Sequence, residues 1–127
     1  MIVVDTSVWV EFLKYQPFFF PTLQTLLETQ SVVAVKCVFG ELLQGVKNSK
    51  ERTIIIEYWN NLPKREEEGL WIEAGILSSE HKWFSKGVGL IDAFLISFTR
   101  KHKTRIWTLD KKLASVLKPA DIFAPSY

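Results

Sequence analysis

Twice in this chain a short apolar run stops at an aspartate and a helix-forming stretch follows: Ile2-Val3-Val4-Asp5 near the start and Ile106-Trp107-Thr108-Leu109-Asp110 near the end. Three consecutive aliphatic residues do not alternate between a wet and a dry face. Ile2–Val4 is therefore expected as a strand buried on both sides, the pattern of parallel sheets covered by helices. "SVVAV" (31–35) and "DIFA" (121–124) read as further strands. Between them lie helical stretches: about Ser7 to Lys14, "TLQTLLETQ", "CVFGELLQGV", "ERTIIIEYWNNL", "GLWIEAGILSSEHKWFS", "LIDAFLISFTRKH" and "KKLASVL". The stretch Leu90–His102 is apolar almost all round, which predicts a buried helix. Alternating strands and helices imply a three-layer α/β/α domain around a mostly parallel sheet, richer in helix than in strand. A chain of 127 residues is one domain, spanning 1–127.

Composition excludes more than it identifies. Apolar residues make up 47% and charged residues 24%, the balance of a soluble globular protein. The single cysteine, Cys37, cannot form an internal bridge, which makes a reducing cytoplasm the simplest location. No apolar run approaches the roughly 18 residues a membrane span needs, and "MIVVD" lacks the basic n-region of a signal peptide. Net charge is +2 with a pI near 8.7, compatible with nucleic acid without being diagnostic. Positive charge gathers late, in "RKHKTR" (100–105) and Lys111-Lys112, while "REEEG" (65–69) is acidic.

In open parallel sheets, ligands bind beyond the carboxyl ends of the strands. If the two aspartate-terminated strands are neighbours, Asp5 and Asp110 share that edge. Either alone reads equally well as a helix N-cap. Asp92 is the only ionisable residue in "GLIDAFLISF". A carboxylate among such neighbours is neutralised, paired or given a cation, unless it merely complements a helix dipole, worth roughly 0.3–1 kcal/mol. Glu41 stands in "CVFGELLQG" between Gly40 and Gly45. Each glycine costs a helix on the order of 1 kcal/mol relative to Ala, so close approach by backbone or ligand is the expected reason for them. Four carboxylates in one cleft cannot all stay ionised without a cation. An all-oxygen donor set without His or Cys favours Mg²⁺ or Mn²⁺ over zinc.

The same residues carry a family resemblance. "VVDTSVWVEFL", "GELLQGV", "GLIDAFLIS" and "IWTLDKKL", in that order, resemble the four acidic motifs of PIN-domain ribonucleases, specifically VapC-type toxins of toxin–antitoxin pairs. The resemblance covers nearly the whole chain. It implies a PIN-like sheet of four or five strands and Mg²⁺- or Mn²⁺-dependent endoribonuclease activity, with Asp5, Glu41, Asp92 and Asp110 as metal ligands and catalytic residues. It also implies supporting hydroxyls at Thr6 and Thr108. Lys112 stands where a second acidic residue often occurs, which leaves one metal or two open. Glu11 is expected at the rim or in solvent. A VapB-type antitoxin inserting an Arg or Lys into the active-site groove, and a homodimer, are implied in the same way.

Lys86, Lys111 and Lys112 are the RNA-backbone candidates nearest these motifs, with Arg100, Lys101, Lys103 and Arg105 further along. Trp59, Trp71 and Trp83 are expected in the core or an interface, and His81 and His102 at the surface. "PFFFP" (17–21) is expected either as an exposed contact for a partner or as a cap on the first helices. Two other functions compete with the nuclease: a catalytically silent PIN-like module that binds RNA or protein, and a phosphotransfer domain on a related sheet. The latter lacks its Asp-x-Asp, because Ser7 follows Asp5-Thr6.

Overall fold

A computed structural model of the chain describes residues 1–15 and 20–125. Strand β1 (Ile2–Val4) pairs in parallel with β2 (Arg105–Trp107), with Ile2 opposite Arg105, Val3 opposite Ile106 and Val4 opposite Trp107. All three β1 residues are buried, as the run of aliphatics requires. One parallel bridge on each side widens the layer, Val32 to Ile2 and Ile122 to Ile106.

The order across the layer is thus the Val32 segment, β1, β2, then the Ile122 segment. Four stretches lie side by side, and two of them are regular strands among the described residues. Ser31–Val35 leaves the sheet early because the Ala34 amide donates to the Pro63 carbonyl at 2.8 Å and a helix starts at Lys36. Asp121–Ala124 is short because a 3-10 turn, Pro119–Asp121, precedes its single bridge.

Seven α-helices occur among the described residues: α1 (Thr6–Tyr15), α2 (Pro21–Glu28), α3 (Lys36–Gln44), α4 (Ser49–Asn61), α5 (Leu70–His81), α6 (Leu90–His102) and α7 (Lys111–Val116). Two show a local reason to begin. Pro21 occupies the first turn of α2, and the Asn48 side chain caps α4 by accepting from the Glu51 amide at 2.9 Å. Every residue of α6 from Ala93 to Thr99 is buried, as its apolar circumference predicts. Full burial of Phe94, Leu95, Ile96 and Phe98 contributes roughly 1.5–3 kcal/mol each before entropy is counted.

Helix α6 packs on β2 and carries α5, where the Trp71 ring lies 4.2 Å from Phe94. A second group joins α1, α3 and α4 around Trp9, whose ring meets Phe12, Phe39 and Tyr58. Trp83 is in the core, whereas Trp59 is half-buried and Trp71 keeps 43% of its surface exposed despite its packing. His81 is exposed; His102 is half-buried, with Nε2 at 2.7 Å from the Glu66 carbonyl oxygen.

The aromatic stretch Pro17–Pro21 lies mostly outside the described residues. Phe20 packs its ring against Phe12. No helix among the described residues is long and apolar enough to cross a membrane.

Candidate active site

The parallel register sends both β1 and β2 toward one edge of the layer, and Asp5 follows directly there. Its amide donates to the Trp107 carbonyl at 2.9 Å, which continues the ladder one residue past β1. Helix α6 runs back along the sheet, so its first turn, with Asp92, reaches the same edge. Asp5, Thr6, Ser7, Glu41, Gly89–Asp92 and Asp110 together line an open cleft of about 530 Å³. The structure therefore brings all four sequence-predicted carboxylates to one place.

Their surroundings differ. Asp5 is only 7% exposed, yet its Oδ2 accepts hydrogen bonds from Ser7 Oγ and Thr108 Oγ1, both at 2.7 Å. Ser7 Oγ also accepts from the Leu109 amide at 3.0 Å, and Thr108 Oγ1 from the Asp110 amide at 2.9 Å. One carboxylate thus ties the loop after β1 to the loop after β2. Glu41, half-buried on α3, accepts from Thr6 Oγ1 at 2.8 Å. Asp110 is both cap and cleft residue: its Oδ1 accepts from the Lys112 and Leu113 amides at 2.8 and 3.1 Å, starting α7.

Asp92 receives no hydrogen bond among the described residues. Burial, then the charges of Asp5, Asp110 and Glu41, push its carboxyl up to about 6 from 3.8. The dipole of α6 favours the ionised form at this first-turn position. The upward shift shows that burial and three like charges outweigh it. Its cost is on the order of 1–2 kcal/mol once screening of a half-exposed group is allowed for.

The lysines take the rim. Lys86, Lys111 and Lys112 are all exposed. Lys112 lies against Gly87: a methyl group there would come within 2.7 Å of Lys112 Cδ. Gly87 has φ +83, so its conformation calls for glycine, whereas the exposed end of Lys112 can swing aside. This contact sets Lys86 and Lys112 beside the Gly89–Asp92 wall.

One expected reason for Gly40 and Gly45, close approach by backbone, does not hold: nothing lies within 4 Å of a methyl group at Gly40, and Gly45, the C-cap of α3, is in ordinary contact with its own helix. Arg100 is engaged structurally, paired with Asp121 at 3.3 Å and lying over the Trp83 ring. Lys101, Lys103 and Arg105 sit at the far end of α6 and the start of β2, away from the cleft. Glu11 is half-buried on α1 and does not line the cleft. Sequence reasoning missed Ser7 as a partner of Asp5, although a hydroxyl two residues beyond a strand-ending aspartate was its visible signal.

Whether these residues suit a cation can be judged from the donor set. Among the described residues no three acidic, histidine or cysteine side chains gather tightly enough to hold a metal directly. A hydrated ion fits better, because Mg²⁺ keeps several waters and uses one or two carboxylates. Asp92 supplies the matching need, a carboxyl crowded by three like charges with no cationic partner.

A model of the PIN domain family matches residues 2–118, which include all four carboxylates. No curated protein matches the chain.

Proposed function

The chain belongs to the PIN domain family, a nuclease-type fold, and on that premise we propose that it is a Mg²⁺- or Mn²⁺-dependent endoribonuclease, the toxin of a VapBC-type toxin–antitoxin pair. The observation that carries this reading is the convergence of Asp5, Glu41, Asp92 and Asp110 on one cleft, with Asp92 left without a partner. A bound divalent ion lowers the pKa of a coordinated water, orients it for in-line attack on phosphorus and stabilises the leaving oxygen.

Each residue has a role in that reaction. Asp5, fixed through one oxygen by Ser7 and Thr108, keeps its other oxygen for the cation or its waters. Glu41 is held in the same way by Thr6. Below about pH 6 Asp92 keeps a proton that cation binding would release, so binding and deprotonation would be coupled there. Asp110 divides its carboxylate between the α7 cap and the cleft. Lys86, Lys111 and Lys112 hold RNA phosphates flanking the scissile bond, supplying affinity and little base selectivity. Cleavage by water with a 3′ leaving oxygen yields a 5′-phosphate and a 3′-hydroxyl.

The same surfaces suit the partners of this reading. A cleft with this much negative charge suits an antitoxin segment bearing Arg or Lys. Ile72 and Ile76 on α5, Phe84 after it and Leu90 at the start of α6 are exposed hydrophobics, of which Leu90 lines the cleft, and they support a homodimer. A single unpaired cysteine agrees with a cytoplasmic location.

The test is RNA cleavage by antitoxin-free protein in Mg²⁺ or Mn²⁺, beside EDTA and an Asp92→Asn variant. Cleavage is expected to disappear in both controls. Cleavage that persists in either would assign the activity elsewhere. RNA binding without any cleavage would favour the silent binding module.

A further inference from the structure

The edge of the sheet opposite the cleft gathers cations, with the Glu66–Glu67 segment beside it at His102. Parallel register puts Met1 and Arg105 there, since the Arg105 amide donates to the Met1 carbonyl at 3.2 Å. Helix α6 ends at the same edge with Lys101 and Lys103, and Lys118 enters it just before the Pro119–Asp121 turn. Lys103 and Lys118 flank a recess of about 300 Å³, walled by Thr99, Thr104, Ala120 and the Arg100–Asp121 pair. Lys101, Lys103, Arg105 and Lys118 are exposed. Among the described residues, Arg100–Asp121 is the one ion pair, so none of these four cations has an acidic partner.

A helix dipole accounts for Lys101 and Lys103 at a C-terminus. It does not account for Arg105 on β2 or Lys118 beyond α7. Protein interfaces are built around apolar and aromatic centres, and this edge exposes no large hydrophobic side chain except Met1. Backbone recognition of a nucleic acid needs only spaced cations.

We propose that Lys101, Lys103, Arg105 and Lys118 form a second RNA-backbone surface, separate from the cleft, that engages substrates long enough to reach both. This rests on the endoribonuclease reading above. Asp92 and Lys103 are eleven residues apart along α6 and its cap, roughly 16 Å at 1.5 Å per residue. A long or folded RNA spans the gap, and a trinucleotide does not.

The experiment compares wild-type protein with the triple variant Lys103→Gln/Arg105→Gln/Lys118→Gln. RNA binding is followed by fluorescence anisotropy across a salt series in EDTA, using a stem-loop RNA of several helical turns. Trinucleotide cleavage in Mg²⁺ is measured in parallel, and thermal melting checks that the variant folds. The expected result is stem-loop binding weakened roughly 10- to 100-fold near 0.1 M salt, with a salt dependence shallower by about 2 in log–log slope. Trinucleotide cleavage is expected to be unchanged. Unaltered stem-loop affinity and slope in a protein that still cleaves RNA would overturn this surface alone. RNA binding through these residues in a protein that cuts nothing would uphold the surface and overturn the nuclease reading. Weakened binding of polyglutamate with unaltered RNA binding would assign the edge to an acidic protein partner and overturn the proposal.

Discussion

The two walls of the cleft are built on different principles. On the strand side, Asp5 and Asp110 sit in a web of donors: Ser7, Thr108 and the amides of Leu109, Asp110, Lys112 and Leu113. On the α6 side, Asp92 has no donor, and its carboxyl is pushed up to about 6 by burial and the charges of Asp5, Asp110 and Glu41. One wall is positioned before any ligand arrives, whereas the other carries a charge that the fold alone does not satisfy. The difference separates orientation from affinity. Hydroxyls and amides fix where oxygen atoms point, and an unpaired carboxyl supplies the pull on a cation.

The comparison breaks most readily at the web. Ser7→Ala and Thr108→Ala each remove a donor to the same oxygen of Asp5, and outer partners of this kind typically cost 10- to 100-fold in metal affinity or activity. Because both bonds end on one atom, the double variant is expected to lose less than the two single losses multiplied together. Cleavage rates for the four-member cycle check this, and full additivity would mean that the hydroxyls act independently of Asp5.

The opposite wall makes the reverse prediction for stability. Asp92→Asn removes the crowded charge and should stabilise the metal-free protein at neutral pH by about 1–2 kcal/mol while abolishing activity. The sign follows from a carboxyl pKa raised on folding. Below about pH 3.8 the group is protonated in both states and contributes nothing. Between there and about pH 6 the folded state keeps a proton that the unfolded state releases, so wild-type stability falls as pH rises through that window. The gain in the variant should therefore be present at pH 7 and absent near pH 3, as denaturant melts in EDTA would reveal. Equal stability of both proteins at pH 7 would mean that Asp92 is not under electrostatic stress.

The smallest effect concerns Gly40, the neighbour of Glu41. It is exposed within α3 and has open space where a methyl group would stand. Gly40→Ala should raise stability by roughly 0.5–1 kcal/mol with cleavage unchanged. A more stable but slower enzyme would indicate that substrate passes over this position.

How much of this was legible in the sequence depended on the range of the interaction. Helix α6 and strand β1 were readable because their apolar patterns are local. The four carboxylates were readable because each is out of place in an apolar stretch. The bond of Ser7 to Asp5 is local and had a visible signal, but its link to the Leu109 amide was not readable, because that partner lies 102 residues away. The segments at Val32 and Ile122 read as strands because their residues favour extended backbone. Each makes one bridge, because a hydrogen bond from the Ala34 amide to the Pro63 carbonyl and a 3-10 turn draw the chain off the sheet. The run "RKHKTR" showed its charge but not its place: only the direction of α6 separates Arg100–Arg105 from Asp92.

The central claim, that four carboxylates form one cation site whose affinity comes from Asp92, is tested most directly by calorimetric titration of Mn²⁺ into metal-free protein. Wild type and Asp92→Asn are compared near pH 7.5 and again near pH 5.5, below the value of about 6 that the fold gives this carboxyl. The expected result is binding at the higher pH, weaker binding with proton release at the lower pH, and loss of both in the variant. Mn²⁺ binding that is equally strong in the variant, or absent from wild type at millimolar metal, would contradict it.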